Sequence, residues 1–383
     1  MKVHQSRWVA NSGWTVRSGS EPVDAQLVLV FGATALLNRS ELITEIRAKN
    51  SRALVFGCST AGEISGTEVT DDSLVVTAIQ FEHTKIHSSQ ASLSSGLGSE
   101  AAGEQIARGL PSTLPTGEKL NHVMVLADGL KTNGTRLVWA MANQLPTNVK
   151  ITGGLAGDGP RFAETVVLTG GLAQRDMVVA VGFYGDRLEV GCSAFGGWDP
   201  FGPERLVTKS NGNILYELDG QSALALYKKY LGTQAKDLPG SALLFPLCMR
   251  TKTGETGVVR TILAVNEADQ SMTFAGDMPE GSRAQLMMAN FDRLISGAGK
   301  AAESSWNAAG AGAPELAVLI SCVGRKLVLK QRIEEEVEAV RDELGAGTVL
   351  TGFYSYGEIS PFGTGGKCEL HNQTMTVIHF TEK

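Results

Sequence analysis

Hydrophobic and polar positions along the chain repeat a single order three times: a short apolar run, an amphipathic stretch, a second apolar run, and a Gly-rich loop that ends in an acid. The first copy reads LVLVFG from Leu27, then NRSELITEIRAKN, then ALVFGCSTAGE ending at Glu63. The second reads HVMVLADG from His122, then GTRLVWAMANQL, then VKITGGLAGD ending at Asp158; 36 residues separate Leu27 from Glu63, and 36 separate His122 from Asp158. The third reads LAVLISCVG from Leu316, a charged stretch from Lys326 to Leu344, and TVLTGFYSYGE ending at Glu358. Each is followed by an alternating run: DDSLVVTAIQF, RDMVVAVGFY and HNQTMTVIHF. Runs of four to eight apolar residues predict strands, and the 3.6-residue spacing between them predicts helices, so each copy is a β-α-β-loop-β module. The alternation of the terminal runs calls for mixed rather than purely parallel sheets.

The expected fold is therefore α/β: mixed sheets flanked by helices, built from repeated modules in two lobes. The lobe boundary is placed at the SNGN turn, which divides the chain into 20–215, with two module copies, and 216–383, with a β-rich segment, a helix and the third copy. Asp219 is expected to cap a helix closed by Gly232, and GCSAFGGWDPFGPER to be irregular. Residues 241–274 read as strands joined by turns at TKTGETG and NEADQ. A helix is expected from Met278 onward, because Ala284, Met287, Phe291, Leu294 and Ala298 fall on one stripe.

Three segments, FGCSTAGEISG, YELDGQSALALYKKYLG and GFYSYGEISPFG followed by ELHNQTMTVIHF, resemble the hallmark stretches of the FIST proteins (F-box and intracellular signal transduction). The resemblance runs from about Leu27 to the C-terminus. It implies a sensory, ligand-binding module. One bacterial branch of the family binds haem, senses nitric oxide and regulates a partner histidine kinase, so haem is the implied cofactor and a histidine kinase or other signalling protein the implied partner. A homodimer is the candidate assembly.

Bulk properties narrow the field. With 383 residues and 43% hydrophobic content the chain is globular, and 34 basic against 40 acidic residues without a basic-aromatic patch argue against nucleic acid. The N-terminus has no secretory apolar segment and no stretch reaches the ~20 residues that span a bilayer, so a cytoplasmic location without membrane insertion is expected. Five scattered cysteines fit neither a disulfide framework nor a zinc knuckle.

The motif loops supply the candidate ligand residues: Ser59, Thr60 and Glu63 from the first copy, and Tyr354, Tyr356 and Glu358 from the third, expected to line one shared cavity. Glu63, Asp158 and Glu358 are expected at equivalent turns. Tyrosines beside an acid also suit an amino acid, which makes an amino-acid or other small-molecule sensor the alternative to haem. A hydrolase using Ser59 or Cys58 is the enzymatic alternative. Against it, Gly57 and Gly62 are too far apart for G-x-S-x-G, and no histidine lies nearby in sequence. Of six histidines, His371, beside Asn372 after a Gly-rich loop, is the donor assigned as haem axial ligand.

Overall fold

The computed structural model describes residues 1–19, 23–93, 97–250, 257–308, 313–361 and 368–383. The Gly-rich loop 362–367, most of the TKTGETG turn, and residues 94–96 of the Ser/Gly-rich link lie outside the described residues.

An N-terminal hairpin, β1 (Lys2–Val9) and β2 (Gly13–Ser18), precedes the first module: β3 (Leu27–Gly32), α1 (Thr34–Leu37), α2 (Ser40–Lys49), β4 (Leu54–Ser59), the hairpin β5 (Glu63–Ser65) and β6 (Glu68–Thr70), then β7 (Ser73–Gln80). Next come β8 (Lys85–Ser92) and α3 (Ser99–Arg108). The second module is β9 (Leu120–Ala127), α4 (Gly134–Gln144), β10 (Lys150–Leu155), the hairpin β11 (Val167–Thr169) and β12 (Leu172–Gln174), and β13 (Met177–Tyr184). After β14 (Leu188–Phe195) the chain leaves to form a separate lobe: β15 (Asp199–Asn211), β16 (Ile214–Leu218), β17 (Gln221–Ser222), α5 (Ala223–Leu231), β18 (Leu247–Arg250), β19 (Val258–Arg260), β20 (Ile262–Asn266), β21 (Ser271–Phe274) and β22 (Arg283–Met288). It returns through α6 (Phe291–Asn307) to the third module: β23 (Leu316–Cys322), α7 (Val323–Leu329), α8 (Ile333–Leu344), β24 (Val349–Ser355), the hairpin β25 (Gly357–Pro361) and β26 (Cys368–His371), and β27 (Met375–Glu382).

Each module builds a three-stranded mixed core, with its first two strands parallel and the third antiparallel to the first. The hairpin that follows each motif loop does not return to its own sheet. It joins the second strand of another copy: β5 pairs with β24, β11 with β4, and β25 with β10. The resulting sheets run β12-β11-β4-β3-β7-β1-β2, β26-β25-β10-β9-β13-β8 and β6-β5-β24-β23-β27-β14. All three share one plan, closed in a ring.

Strand periodicity explains how the ring is filled. Along β3, Leu27, Leu29 and Phe31 point to a shared core while Val28 and Val30 pack under α2; along β9, Met124 and Leu126 point in while Val123 and Val125 pack under helices. In β23, Leu316, Val318 and Ile320 do the same. The three inner faces meet there, with Phe31 stacked on Phe353 at 4.7 Å. Runs apolar on both faces, as read in the sequence, follow from sheets covered on both sides.

Backbone devices recur at matched positions. Gly57, Gly153 and Gly352 each lie where an added Cβ would fall 1.8–1.9 Å from a carbonyl oxygen of the neighbouring parallel strand. Asp72, Asp176 and Gln373, just ahead of the third strands, all have φ near +55° to +60°.

Several local expectations need correction. The stripe from Met278 is not one helix: Arg283–Met288 is a strand between β15 and β18, and α6 starts only at Phe291, where Asn290 accepts a bond from the Arg293 amide. Ser222, not Asp219, caps α5; Asp219 instead accepts from the Leu206 amide and Arg205. The aromatic and glycine-rich stretch after Gly191 forms the end of β14 and the start of β15. The N-terminus is strand β1, paired along its length with β7.

Candidate functional site

The first and third motif loops meet through backbone bonds, Ala61 N–H to the Tyr354 carbonyl and Tyr354 N–H to that of Gly62, both 2.8 Å. Ser59, Thr60, Glu63, Tyr354 and Glu358 do not line the cavity of about 630 Å³ described below. Glu63 accepts from the Thr60 hydroxyl and from the Ser73 amide and hydroxyl (3.1 and 2.7 Å); Glu358 accepts from the Ser355 hydroxyl (2.7 Å) and from the Thr374 amide and hydroxyl (3.1 and 2.9 Å). Both carboxyls are fully buried, and burial pushes Glu63 up to about 7 and Glu358 up to about 8, against the pull of those hydrogen bonds. Each carboxyl staples the start of an exchanged hairpin to the start of its own module's third strand.

Asp158 does not share this turn. Measured from the aligned glycines, Glu63 and Glu358 lie six residues on, whereas Asp158 lies five on; the residue opposite Cys58 in the second module's hairpin is Val167. Met177 stands where Ser73 and Thr374 stand, with its carbonyl bonded to the Asp128 amide as theirs are to the amides of Ala33 and Cys322. Acid and hydroxyl have thus been replaced together by two apolar side chains. Asp158 instead accepts from the amides of Phe162, Ala163 and Glu164, each at 2.9 Å, and from the Tyr356 hydroxyl. Burial works to raise its pKa, but these bonds, with Arg161, hold it below the ordinary carboxylate value. The turn keeps Phe162 at φ +50° and stacks its ring on Tyr356, centroids 4.4 Å apart.

That aromatic pair borders a cavity of about 630 Å³ between the body and the lobe. The body contributes the segment Gly129–Gly134 after β9, Leu155 at the end of β10, Cys322–Gly324 at the end of β23, and Leu327 and Leu370; the lobe contributes Asn213, Pro239, Gly240, Leu243, Thr261–Leu263 and Phe274–Gly276. Ligand sites of α/β proteins lie at such carboxyl ends of strands. Bonds across the junction hold lobe to body: Asn133 Nδ2 to Asp277 (2.9 Å), Arg260 Nη1 to the Leu370 carbonyl (2.9 Å) and Trp198 Nε1 to the Gln373 carbonyl (2.9 Å). The Thr132 and Thr261 hydroxyls are buried without a hydrogen-bond partner.

Of the residues singled out in the sequence, Tyr356 borders this cavity and the others do not. Ser59 is buried, its hydroxyl accepting from the Val166 amide at 3.0 Å, and Thr60 serves Glu63. Tyr354 donates to Glu336 at 2.8 Å, inside a buried network with Arg325 and Ser321. Asn372 is 1% exposed in the turn before β27. Cys58 is fully buried with its thiol pushed up by burial, and no imidazole bonds to it or to Ser59 among the described residues, so the geometry gives a nucleophile no base.

His371 is buried, paired opposite Glu358, with Nε2 3.0 Å from the Ser360 carbonyl. Burial lowers it to about 4. It does not line the cavity, and no histidine does among the described residues. Cys322 does line it, but burial, with the Glu358 charge, pushes its thiol well up, away from a thiolate ligand. These residues do not fit a haem held on His371.

Sequence reasoning missed Thr132, Thr261, Leu243 and Phe162. None sits in a recognisable motif, and residues 241–274, which hold part of the second wall, read in the sequence only as strands joined by turns.

Comparison with known proteins is made on this geometry. The FIST N domain family model matches residues 26–221, and the FIST C domain model matches 223–361. No curated protein matches the chain. Among the described residues, no helix is long and apolar enough to cross a membrane.

Proposed function

We propose, from the premise that the chain belongs to the FIST family, that it is a sensory protein whose small ligand occupies the cavity between body and lobe. FIST domains are associated with small-ligand sensing in signalling. The observation that carries the reading is the cavity itself: about 630 Å³, mostly apolar walls from two separately built units, and two buried hydroxyls without partners. Such a volume suits a whole organic molecule, and a ligand touching both walls favours the arrangement in which they are closed. The signal then passes in trans to a partner that distinguishes lobe positions, with a histidine kinase as the partner class.

The test uses Nile red, a neutral apolar dye, with the full chain. Fluorescence enhancement that is saturable, and lost in both Leu243→Trp and Leu327→Trp, supports the cavity as the site. These variants fill it from opposite walls, and their thermal melts report whether they fold. No saturable enhancement in the wild type, or equal enhancement in both filled variants, sinks the reading.

A further inference from the structure

We infer that the cavity takes an apolar monocarboxylic acid, its carboxylate seated where Thr132, Thr261 and the first turn of α4 meet; the inference rests on the cavity being the sensory site. The walls are set by Leu155, Leu243, Ile262, Phe274, Leu327 and Leu370, which reward an apolar body and offer it no polar partner. The polar and charged side chains of the lining are Lys131, Thr132, Asn133, Asn213, Thr261 and Tyr356. Thr261 is 5% exposed, lines the cavity, and has a hydroxyl with no partner; the Thr132 hydroxyl is in the same condition. The Asn133–Asp277 bond holds the α4 end against the lobe turn 275–277, and the Ala275 amide bonds to the Thr261 carbonyl at 2.9 Å, so the two hydroxyls come from facing sides of one seam.

The same seam holds the start of an 11-residue helix. Its Arg136 amide is taken by the Asn133 side chain and its Leu137 amide by the Asn133 carbonyl. The Gly134 and Thr135 amides have no helical acceptor, as at any helix start, and carry the positive end of the helix dipole. Two hydroxyl donors beside such amides match a carboxylate, whose two oxygens accept several bonds.

Charge points the same way. Among the described residues lining the cavity, Lys131 is the charged one. Asp277, bonded to the lining residue Asn133, is also engaged by Arg136 at 3.7 Å, and its carbonyl lies 3.5 Å from Arg260 Nε; Asp158 is taken up by Tyr356 and three amides. Among the described lining residues no carboxylate is present to pair with an ammonium group. An amino acid is therefore disfavoured against an acid lacking the amine, and an alcohol would leave donors unmatched.

Displacement of Nile red from the full chain decides among these classes, with octanoate and 3-phenylpropionate as aliphatic and aromatic acids, and octan-1-ol and octylammonium as controls. The expected result is half-displacement by at least one acid at about tenfold lower concentration than by either control, the scale of a few charge-assisted hydrogen bonds. Thr261→Val should erase that advantage while still binding Nile red, and Thr261→Ser, which keeps the hydroxyl, should retain it. Equal displacement by octan-1-ol or octylammonium, or an acid preference that survives Thr261→Val, overturns the acid assignment and leaves the cavity standing. Failure of the wild type to bind Nile red overturns both.

Discussion

The connections after β4, β24 and β10 differ in length and chemistry, yet each leads into a hairpin that pairs in the same way with another module's second strand. In the first and third, a buried carboxyl meets a hydroxyl and an amide at the start of the third strand; in the second, Val167 and Met177 fill the same places. The difference teaches that the acid is not what makes the turn. Backbone pairing makes it, and the side chains at that point are exchangeable as a matched set. The second module, freed of its staple, carries an acid one residue earlier and uses it to shape the loop that presents Phe162 to the cavity.

If the backbone is the shared element, its glycines should be the most sensitive positions. Gly57→Ala, Gly153→Ala and Gly352→Ala should each destabilise by on the order of 4 kcal/mol in urea titrations, since a Cβ would overlap a carbonyl oxygen. A cost confined to the two acid-bearing copies would break the equivalence.

The matched-set idea is tested by transplanting the second module's pair into the first. Glu63→Val alone takes the acceptor from the buried Ser73 amide and Thr60 hydroxyl, while the Ser73 hydroxyl keeps Thr70 as a partner, and should cost about 3 kcal/mol. Glu63→Val with Ser73→Met should recover about 1 kcal/mol or more of that in a double-mutant cycle. Strict additivity would mean that the two positions evolved apart.

The staples also predict pH dependence with a definite sign. Glu63 and Glu358 hold their protons up to about 7 and about 8 when folded, while an unfolded glutamate releases its proton near 4.5. Between those values the folded state binds more protons, so stability is greatest below about pH 4.5 with respect to these groups and falls as pH rises toward 7–8, by up to ~1.4 kcal/mol per pH unit per group. Urea midpoints from pH 5 to 8 should therefore slope downward in the wild type and flatten in Glu63→Gln/Glu358→Gln. A slope unchanged in the double variant assigns the effect elsewhere.

The smallest effect belongs to the second module's own device. Tyr356→Phe removes a hydroxyl from Asp158 and the Gly159 carbonyl and should cost about 1 kcal/mol, while weakening Nile red binding by loosening the Phe162 loop. A loss of stability equal to that of Glu63→Val would erase the distinction between loop shaping and stapling.

Much of the body was legible, because hydrophobic period is set by local burial: strands from Leu27, His122 and Leu316, and the helices after them, stand where the apolar runs put them. The equal spacing to Asp158 was legible too, and misled, since residue counts do not reveal which residue faces which across a ladder. Hairpin exchange was not legible: β5 looks the same in sequence whichever sheet it joins. Nor was the cavity, whose walls combine Thr132 with Thr261, residues brought together only by the lobe docking onto the body. The buried pairing of Arg325 with Glu336 was not legible either, because a charge's partner is a tertiary fact.

Hairpin exchange has a consequence for how the chain is made. During synthesis β4 and β10 are complete long before their outer neighbours exist; β24, which must receive β5, is translated nearly 290 residues after it. A nascent chain holding the first two modules therefore carries an unsatisfied edge at β10 and a hairpin with nowhere to dock, the features that recruit wrong strands. The ring can lock only when its last link leaves the ribosome.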